Sequence, residues 1–479
     1  MPFGPHDRNP VLFRDVATQG DDREAVDTLK TARSTGAAER PRLPPTLVRL
    51  LCAEDPRLPP ERHWLEGCTE VRILRGRPAG ASREGKVLTL TLGDPYASTR
   101  HLLLRASGEG FVVSDEGSTN GTLVNGQALG PGEERLVGTA VLEVGHTFFH
   151  LRTDVHGIRE VPVVRDGDEP LTFAPEFAQG LLSSERLVRR QHDLLITGES
   201  GVGKEVVARW LHAVSGRSGP FVAVNCAAVP EQLLEDELFG HVKGAFSGAQ
   251  SDRPGLLRAA HLGTLLLDEI GDMPAQLQAK LLRVIEDRRV RPVGSEHEVQ
   301  VDVLALAATH RDLKSLVAEG RFREDLLARM GLLPLTVPPL RDRKEDLGLL
   351  LRGILREVPE GLERVRFELQ ALRMLVLHDW PLNVRELRRA VLAAVDLARA
   401  DETGPVVVGP QHLPLAVRPQ AVAAPARALS PDDEALRGRL VALLAEHRGN
   451  VTAVARALGK PRTGVQRLMA RLGVQRSGT

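Results

Sequence analysis

Residues 193–215 read DLLITGESGVGKEVVARWLHAVS. A short apolar run, Leu194 to Ile196, enters a loop with glycines at 198, 201 and 203, and an amphipathic helical pattern follows. Strand, glycine-rich loop and helix in that order aim backbone N–H groups and a helix N-terminus at one point, where they can cradle phosphates. The cradle comprises Gly198, Glu199, Ser200, Gly201, Val202, Gly203, Lys204 and Glu205, with Lys204 reaching the β- and γ-oxygens of a nucleotide. The hydroxyl residue that commonly follows such a lysine is replaced by Glu205. A plain glycine turn with an exposed lysine is the rival reading, and the flanking strand and helix argue against it.

Working outward, GTLLLDEIGD (263–272) drives an apolar run into two adjacent carboxylates. Such a pair is ordinarily just solvated. Asp268, 64 residues after Lys204, is expected to hold Mg2+, and Glu269 to polarise an attacking water. ATP and Mg2+ are therefore the expected cofactors. Charge stabilisation needs cations, and Arg323, Arg329 and Arg385 are candidates against a background of ordinary surface ion pairing. The runs 193–198, 221–226, 263–270 and 301–309 are near-continuous in apolar residues, as in a parallel sheet covered on both faces. With the amphipathic segments between them they make residues 168–400 an α/β domain closed by a helical stretch.

The chain has 479 residues, enough for about three domains. Its 63 basic and 63 acidic residues cancel, so no global field points to a nucleic acid or a membrane. Cys52, Cys68 and Cys226 have no metal or disulfide spacing and fit a reducing cytosol. No apolar run reaches a membrane-spanning length. A soluble, cytoplasmic protein is expected. Residues 1–45 read as a disordered arm. Residues 46–155 contain short strands separated by turns, the pattern of a β-sandwich. Residues 401–433 are Pro/Ala-rich and read as a linker. Residues 434–479 form a small all-α unit; from 435 onward nine Arg or Lys face one Glu, a local charge of +8. The turn GKP (459–461) between the last two helical patterns suits a helix-turn-helix, with Pro461 fitting the first turn of the last helix. Arg462, Thr463, Gln466 and Arg467 are then placed to meet a DNA groove or its phosphates.

GESGVGKE, ELFGHVKGAFSGA, GTLLLDEIGDMP, RFREDLLARM, PPLRDRKEDL and WPLNVREL together resemble the AAA+ domain, a P-loop ATPase with helical lid, of bacterial enhancer-binding proteins, the activators of sigma-54 RNA polymerase. A glutamate at Glu205 is usual there. The resemblance implies that Asn225 pairs with Glu269 as a switch. It also implies that Arg323 and Arg329 act as fingers on a neighbouring subunit's ATP, Arg385 is a second sensor, and the ring is a hexamer. Gly244, Ala245, Phe246, Ser247, Gly248 and Ala249 match the loop that contacts sigma-54. On composition alone Phe246 belongs in a core; the resemblance makes it an apolar tip. Ser247 replaces threonine, His310 stands where asparagine is usual, and Leu382 replaces a glycine whose turn is strained for leucine if it needs positive φ.

YASTRH (96–101) and SDEGSTNGTLVNG (114–126) resemble the forkhead-associated (FHA) domain, a β-sandwich that binds phosphothreonine peptides. Ser98, Thr119 and Asn120 match its donors, and His101 the histidine that buttresses them. The family's usual Gly-Arg pair is taken to be absent, and its cation is assigned by position to Arg83 of SREGK (82–86), with Lys86 nearby. A degenerate sandwich used only for packing is the alternative. The C-terminal unit resembles the Fis-type helix-turn-helix. These resemblances imply an ATP-dependent activator that binds upstream enhancer DNA and remodels the sigma-54 RNA polymerase holoenzyme, gated by a phosphothreonine protein or a Ser/Thr kinase. The rivals are an ATP-gated DNA-binding regulator without sigma-54 contact, which the intact GAFSGA disfavours, and a helicase-like motor, for which no further motif is present.

Overall fold

The computed structural model describes residues 45–447 except 109, 131, 154–162, 167–168, 248, 332, 360–363, 402–405 and 418–430, together with 451–458 and 465. Residues 1–44 of the arm expected at 1–45, and Gly248, Arg462, Thr463, Gln466 and Arg467, therefore lie outside the described residues. By backbone contacts the chain divides into two units, Met1–Pro414 and Leu415–Thr479.

Twelve strands open the first unit. They are β1 (Thr46–Cys52), β2 (Glu61–Trp64), β3 (Glu70–Arg75), β4 (Gly80–Glu84), β5 (Val87–Leu92), β6 (Leu102–Ser107), β7 (Gly110–Asp115), β8 (Thr122–Val124), β9 (Gln127–Ala128), β10 (Glu133–Leu136), β11 (Thr139–Val144) and β12 (Thr147–Arg152). They form two six-stranded sheets, ordered β2-β1-β12-β11-β8-β9 and β10-β7-β6-β3-β5-β4. Leu47, Leu142, Phe149 and Leu151 of one sheet meet Ile73, Leu88 and Leu104 of the other in a shared core. The outer face of the first sheet is equally buried: Val48, Leu50, Val141, Glu143, Phe148 and His150 are all at most 5% exposed. With both faces covered, β1 reads TLVRLLC and loses the two-residue alternation by which a strand is recognised.

After the two-residue strands β13 (Arg165–Asp166) and β14 (Glu169–Pro170) comes α1 (Pro175–Arg189), whose Phe177, Ala178, Leu181 and Val188 are buried. Next come β15 (Leu194–Thr197), α2 (Lys204–Val214), β16 (Phe221–Asn225), α3 (Glu231–Phe239), α4 (Leu256–Ala259) and β17 (Thr264–Asp268). The half closes with α5 (Ala275–Asp287), the hairpin β18 (Arg289–Val290) and β19 (Val299–Gln300), β20 (Leu304–Thr309), α6 (Leu313–Ala318), α7 (Glu324–Met330) and β21 (Leu335–Thr336). The sheet order β16-β17-β20-β15-β21 is parallel throughout. One apolar cluster, carried by α3, α5, α6 and α7, covers one face of this sheet, and another, carried by α1 and α2, covers the other. This is why its strands read as continuous apolar runs.

Residues 340–346 lead from this core into the lid. The lid holds α8 (Leu347–Arg356), β22 (Val365–Phe367), α9 (Leu369–Leu377) and α10 (Asn383–Asp401). The linker expected at 401–433 needs correction. β23 (Val406–Val408) pairs in parallel with β22, and a 3-10 turn at Pro410–His412 buries its histidine. Composition shows the proline and alanine but not that the Val406–Val408 triplet has a partner strand. In the second unit, α11 (Pro431–Glu446) and α12 (Val451–Ala457) pack through Leu440, Leu444, Val454 and Ala455, with Val465.

Candidate functional site

The nucleotide loop sits between β15 and α2. Gly198, Gly201 and Gly203 have φ of 149°, 79° and 101°, values that favour glycine. A Cβ at Gly201 would lie 2.4 Å from the carbonyl oxygen of Leu382, so the lid closes against bare backbone there. Lys204, 7% exposed, donates to the carbonyls of Gly198 (2.8 Å) and Glu199 (3.3 Å). Burial lowers its pKa, against the opposing pull of Glu269 and Asp268. The lysine thus lies folded over the loop, on carbonyls that a phosphate would replace. Glu205 turns away, pairing with Arg209 one turn along α2 at 2.7 Å.

Strand register decides the carboxylate side. Asn225 at the end of β16 is paired with Asp268, not Glu269. Its Nδ2 donates to Asp268 Oδ2 at 3.1 Å, while its Oδ1 accepts from the N–H groups of Ala227 and Ala228. The expected Asn225–Glu269 pairing is therefore corrected. Glu269 has φ of 52°, which swings it out of β17's line. Its Oε2 accepts from His310 through the backbone N–H (3.3 Å) and lies 2.8 Å from the ring Nδ1. Lys204 stands 3.9 Å from its other oxygen. Burial, reinforced by Glu269's charge, raises the pKa of Asp268.

The lid completes the loop. Arg385 donates to Ser200 Oγ at 3.0 Å. Fully buried Asn383 accepts from Leu340 N–H and donates to Glu199 Oε2 and the Ser200 carbonyl. Arg341 grips Glu199 with two bonds, which with Asn383 holds that carboxyl at a pKa of about 2. Sequence reasoning passed over Arg341 and Asn383, although both sit inside the quoted motifs. The strain expected at Leu382 is absent: positive φ falls on its neighbours Trp380 (53°) and Asn383 (58°). Arg323 is tied to Asp325 at 2.7 Å, and Arg329 lies 3.6 Å from Asp193. Asp193 precedes β15, and the nucleotide loop begins past its far end, about 16 Å away at strand rise. Arg329 is thus remote from its own chain's nucleotide loop.

In the GAFSGA segment, Gly244 N–H donates to Ala249 O and Ala249 N–H to Phe246 O, closing a tight turn. Phe246 is 47% exposed and rests edge-on against His241. Ala249 is buried, whereas Ser247 is exposed. Gly294, beside the β18–β19 hairpin, props the turn's base against Ala245.

In the sandwich, Ser98 Oγ accepts from Thr119 N–H at 3.0 Å, and Asn120 Nδ2 donates to Tyr96 O at 2.8 Å. His101, 1% exposed, accepts at Nδ1 from Ser98 N–H and reaches Gly121 O with Nε2, so it clasps both loops. Burial lowers its pKa. Arg83 does not join them. It lies on β4 opposite Leu88, with its guanidinium on the Glu66 carbonyl. The Ser98 loop instead meets the other end of β3, where Arg75 N–H donates to Ser98 O at 2.8 Å and Arg75 Nη1 to Pro95 O. Four residues of strand, about 13 Å, separate the two ends. Arg77, exposed, follows directly on the Arg75 side.

The sigma-54 interaction domain family matches residues 172–336, the AAA+ ATPase lid domain family residues 341–429, and the FHA domain family residues 76–145. Regulatory protein AtoC of Escherichia coli K12 is 40% identical over 316 residues, covering 64% of this chain and 68% of that protein. The chain belongs to the sigma-54-dependent transcriptional regulators. Within this family, transcriptional regulatory protein GlrR of E. coli K12 is 44% identical over 61% of this chain. The match spans 65% of GlrR, a little under two thirds of its length. NtrX from Brucella abortus, solved in complex with ATP, is 34% identical with a TM-score of 0.46, covering 65% of this chain and 70% of that one. The FHA match opens at Gly76–Arg77, a Gly-Arg pair that the reading centred on Arg83 overlooked. Among the described residues no helix is long and apolar enough to cross a membrane, and no cluster of three metal-binding side chains occurs.

Proposed function

We propose that this regulator is an ATPase that turns hydrolysis into movement of the Phe246 loop against sigma-54, activating transcription from enhancer-bound sites. The observation that carries the reading is an apolar ring left half-exposed on a turn tied down at both ends, in the same core as the nucleotide loop. An exposed apolar side chain presented in this way is suited to a contact surface.

In this reading Lys204 exchanges the Gly198 and Glu199 carbonyls for phosphate oxygens, and Arg385 leaves Ser200 for the same ligand. Asp268 suits Mg2+, which keeps several waters and takes one or two carboxylates beside the phosphates; the ion would supply charge neutralisation there. Glu269 orients the attacking water, and His310 fixes the Glu269 carboxylate. Arg323 and Arg329 serve a neighbouring subunit in a hexamer. The FHA sandwich reads a phosphothreonine peptide through Ser98, Thr119 and Asn120, with Arg77 rather than Arg83 as cation. The C-terminal unit binds upstream DNA.

Binding of sigma-54 to the full chain, with and without an ATP transition-state analogue, tests this. Analogue-dependent binding lost in Phe246→Ala is the expected result. No binding in any state, with ATP hydrolysis intact, overturns the proposal in favour of an ATP-gated DNA-binding regulator.

A further inference from the structure

The outer sheet face of the sandwich is buried on the ATPase, and its contacts fall on both sides of the 340–346 hinge. On the lid side, the backbone of β1 lies directly on α8. A Cβ at Gly348 would come within 2.0 Å of the Leu50 carbonyl oxygen. Glycine inside a helix sacrifices helical stability, and the close approach supplies its reason. Glu143 of β11 accepts two bonds from Arg373 of α9, at 2.6 and 2.7 Å. On the core side, Arg62 of β2 donates to the Phe173 carbonyl, and Trp64 packs against the α1/α2 cluster.

Between them the hinge itself is held. Arg152 of β12 bonds Glu345 (2.9 Å) and the Asp342 carbonyl (2.6 Å). Two residues before Glu345, buried Arg343 donates to the Val202 carbonyl of the nucleotide loop at 2.6 Å. Asp346 accepts from Thr172 and Phe173, which precede α1.

We propose that the sandwich is a brace across the core–lid hinge, and that it restrains the lid movement a nucleotide cycle needs. Any rotation of lid against core must break one of its two footings. The same strands reach the peptide loops: Asp94 accepts from His146 N–H and Thr147 Oγ1 at the β11–β12 turn, four residues before Ser98. A ligand at Ser98 and Thr119 therefore acts on the two strands that grip the lid and hinge. The effect on turnover rests on the ATPase reading; the restraint does not.

The test uses the full chain with spin labels at Ala213→Cys on α2 and Arg389→Cys on α10, both exposed, the native cysteines being buried. Gly348→Ala favours the α8 helix yet wedges it off β1. It is expected to broaden the core–lid distance distribution and to raise ATP turnover about fivefold or more, the scale of allosteric coupling. Glu143→Arg and Arg373→Glu should each broaden it, and the two together should restore the narrow distribution. Distributions as narrow as wild type in Gly348→Ala and in both single variants overturn the brace, as does a turnover that falls when they broaden. A chain that hydrolyses no ATP in any form counts against the ATPase alone, because the distances are read without turnover.

Discussion

In the nucleotide loop the backbone donors and the cation come from eight consecutive residues, Gly198 to Glu205. In the sandwich the corresponding groups come from separate turns, at 75–77, 94–101 and 115–121, which only strand register brings together. Both places collect N–H and O–H donors, yet they differ in how the cation arrives. Lys204 is delivered by the turn it serves. In the peptide site proposed for the sandwich, the cation would come from the strand end that meets the Ser98 loop, and counting residues within one turn cannot find it. A site built from contiguous chain is legible in sequence; one built across a sheet is legible only once pairing is known.

The sharpest way to break the comparison is to silence chemistry at the first site without emptying it. Glu269→Gln keeps the shape and the His310 contact but removes the carboxylate. ATP turnover should fall about 10²- to 10⁴-fold with nucleotide affinity within a factor of about three. An equal loss of affinity would mean that Glu269 shapes the loop rather than the reaction. At the second site, Arg77→Ala should weaken phosphothreonine-peptide binding by about 10- to 100-fold, the worth of a hydrogen bond to a charged group. Arg83→Ala should change it less than about twofold, since that guanidinium is spent on Glu66. Titration calorimetry with one phosphopeptide reads both variants, and the reverse ranking would return the cation to Arg83.

Between the two regions lies the hinge, and Asp346 gives it a pH signature. Burial raises its pKa from the ordinary 3.8 to about 6, although Arg343 and its donors pull the other way. The folded state therefore holds the proton more tightly than the unfolded chain. Asp346 subtracts from stability at neutral pH, by about 3 kcal/mol in the limit of the full shift. That deficit shrinks as pH falls through 6 and vanishes below the unfolded value. Urea unfolding at pH 7 and 5.5 should show wild type gaining on Asp346→Asn by about 0.8 kcal/mol. Equal slopes would mean that the carboxyl titrates alike in both states.

Much of the fold was legible. Four strands of the parallel sheet stand within a few residues of their apolar runs, because burial on both faces leaves an unbroken apolar signature. The fifth, β21, is only Leu335–Thr336, too short for any pattern. β1 was hidden because the lid covers the face that solvent would ordinarily mark with polar residues. In the site, Lys204 lies over its own loop within electrostatic reach of Asp268 and Arg385. Asn225 did not reach Glu269, because pairing with Asp268 is a matter of register and the swing of Glu269 a matter of backbone φ.

That last difference sets the smallest effect. His310 is the side chain that reaches Glu269 at hydrogen-bond distance, and Asn225 is committed at both ends of its amide. If His310 positions the carboxylate, His310→Ala should lower turnover about three- to tenfold, the loss of one hydrogen bond to a charged acceptor. KM for ATP should stay nearly constant, because His310 bonds Glu269 and makes no bond to the Gly198–Glu205 loop. His310→Asn should recover most of the rate, since a side-chain amide can also donate to Oε2. Asn225→Ala should follow Asp268 instead, weakening nucleotide binding when Mg2+ is limiting. The contrast between the variants carries the argument. A residue that merely packs would not be rescued by asparagine, and a latch that holds Glu269 out of action would make His310→Ala faster.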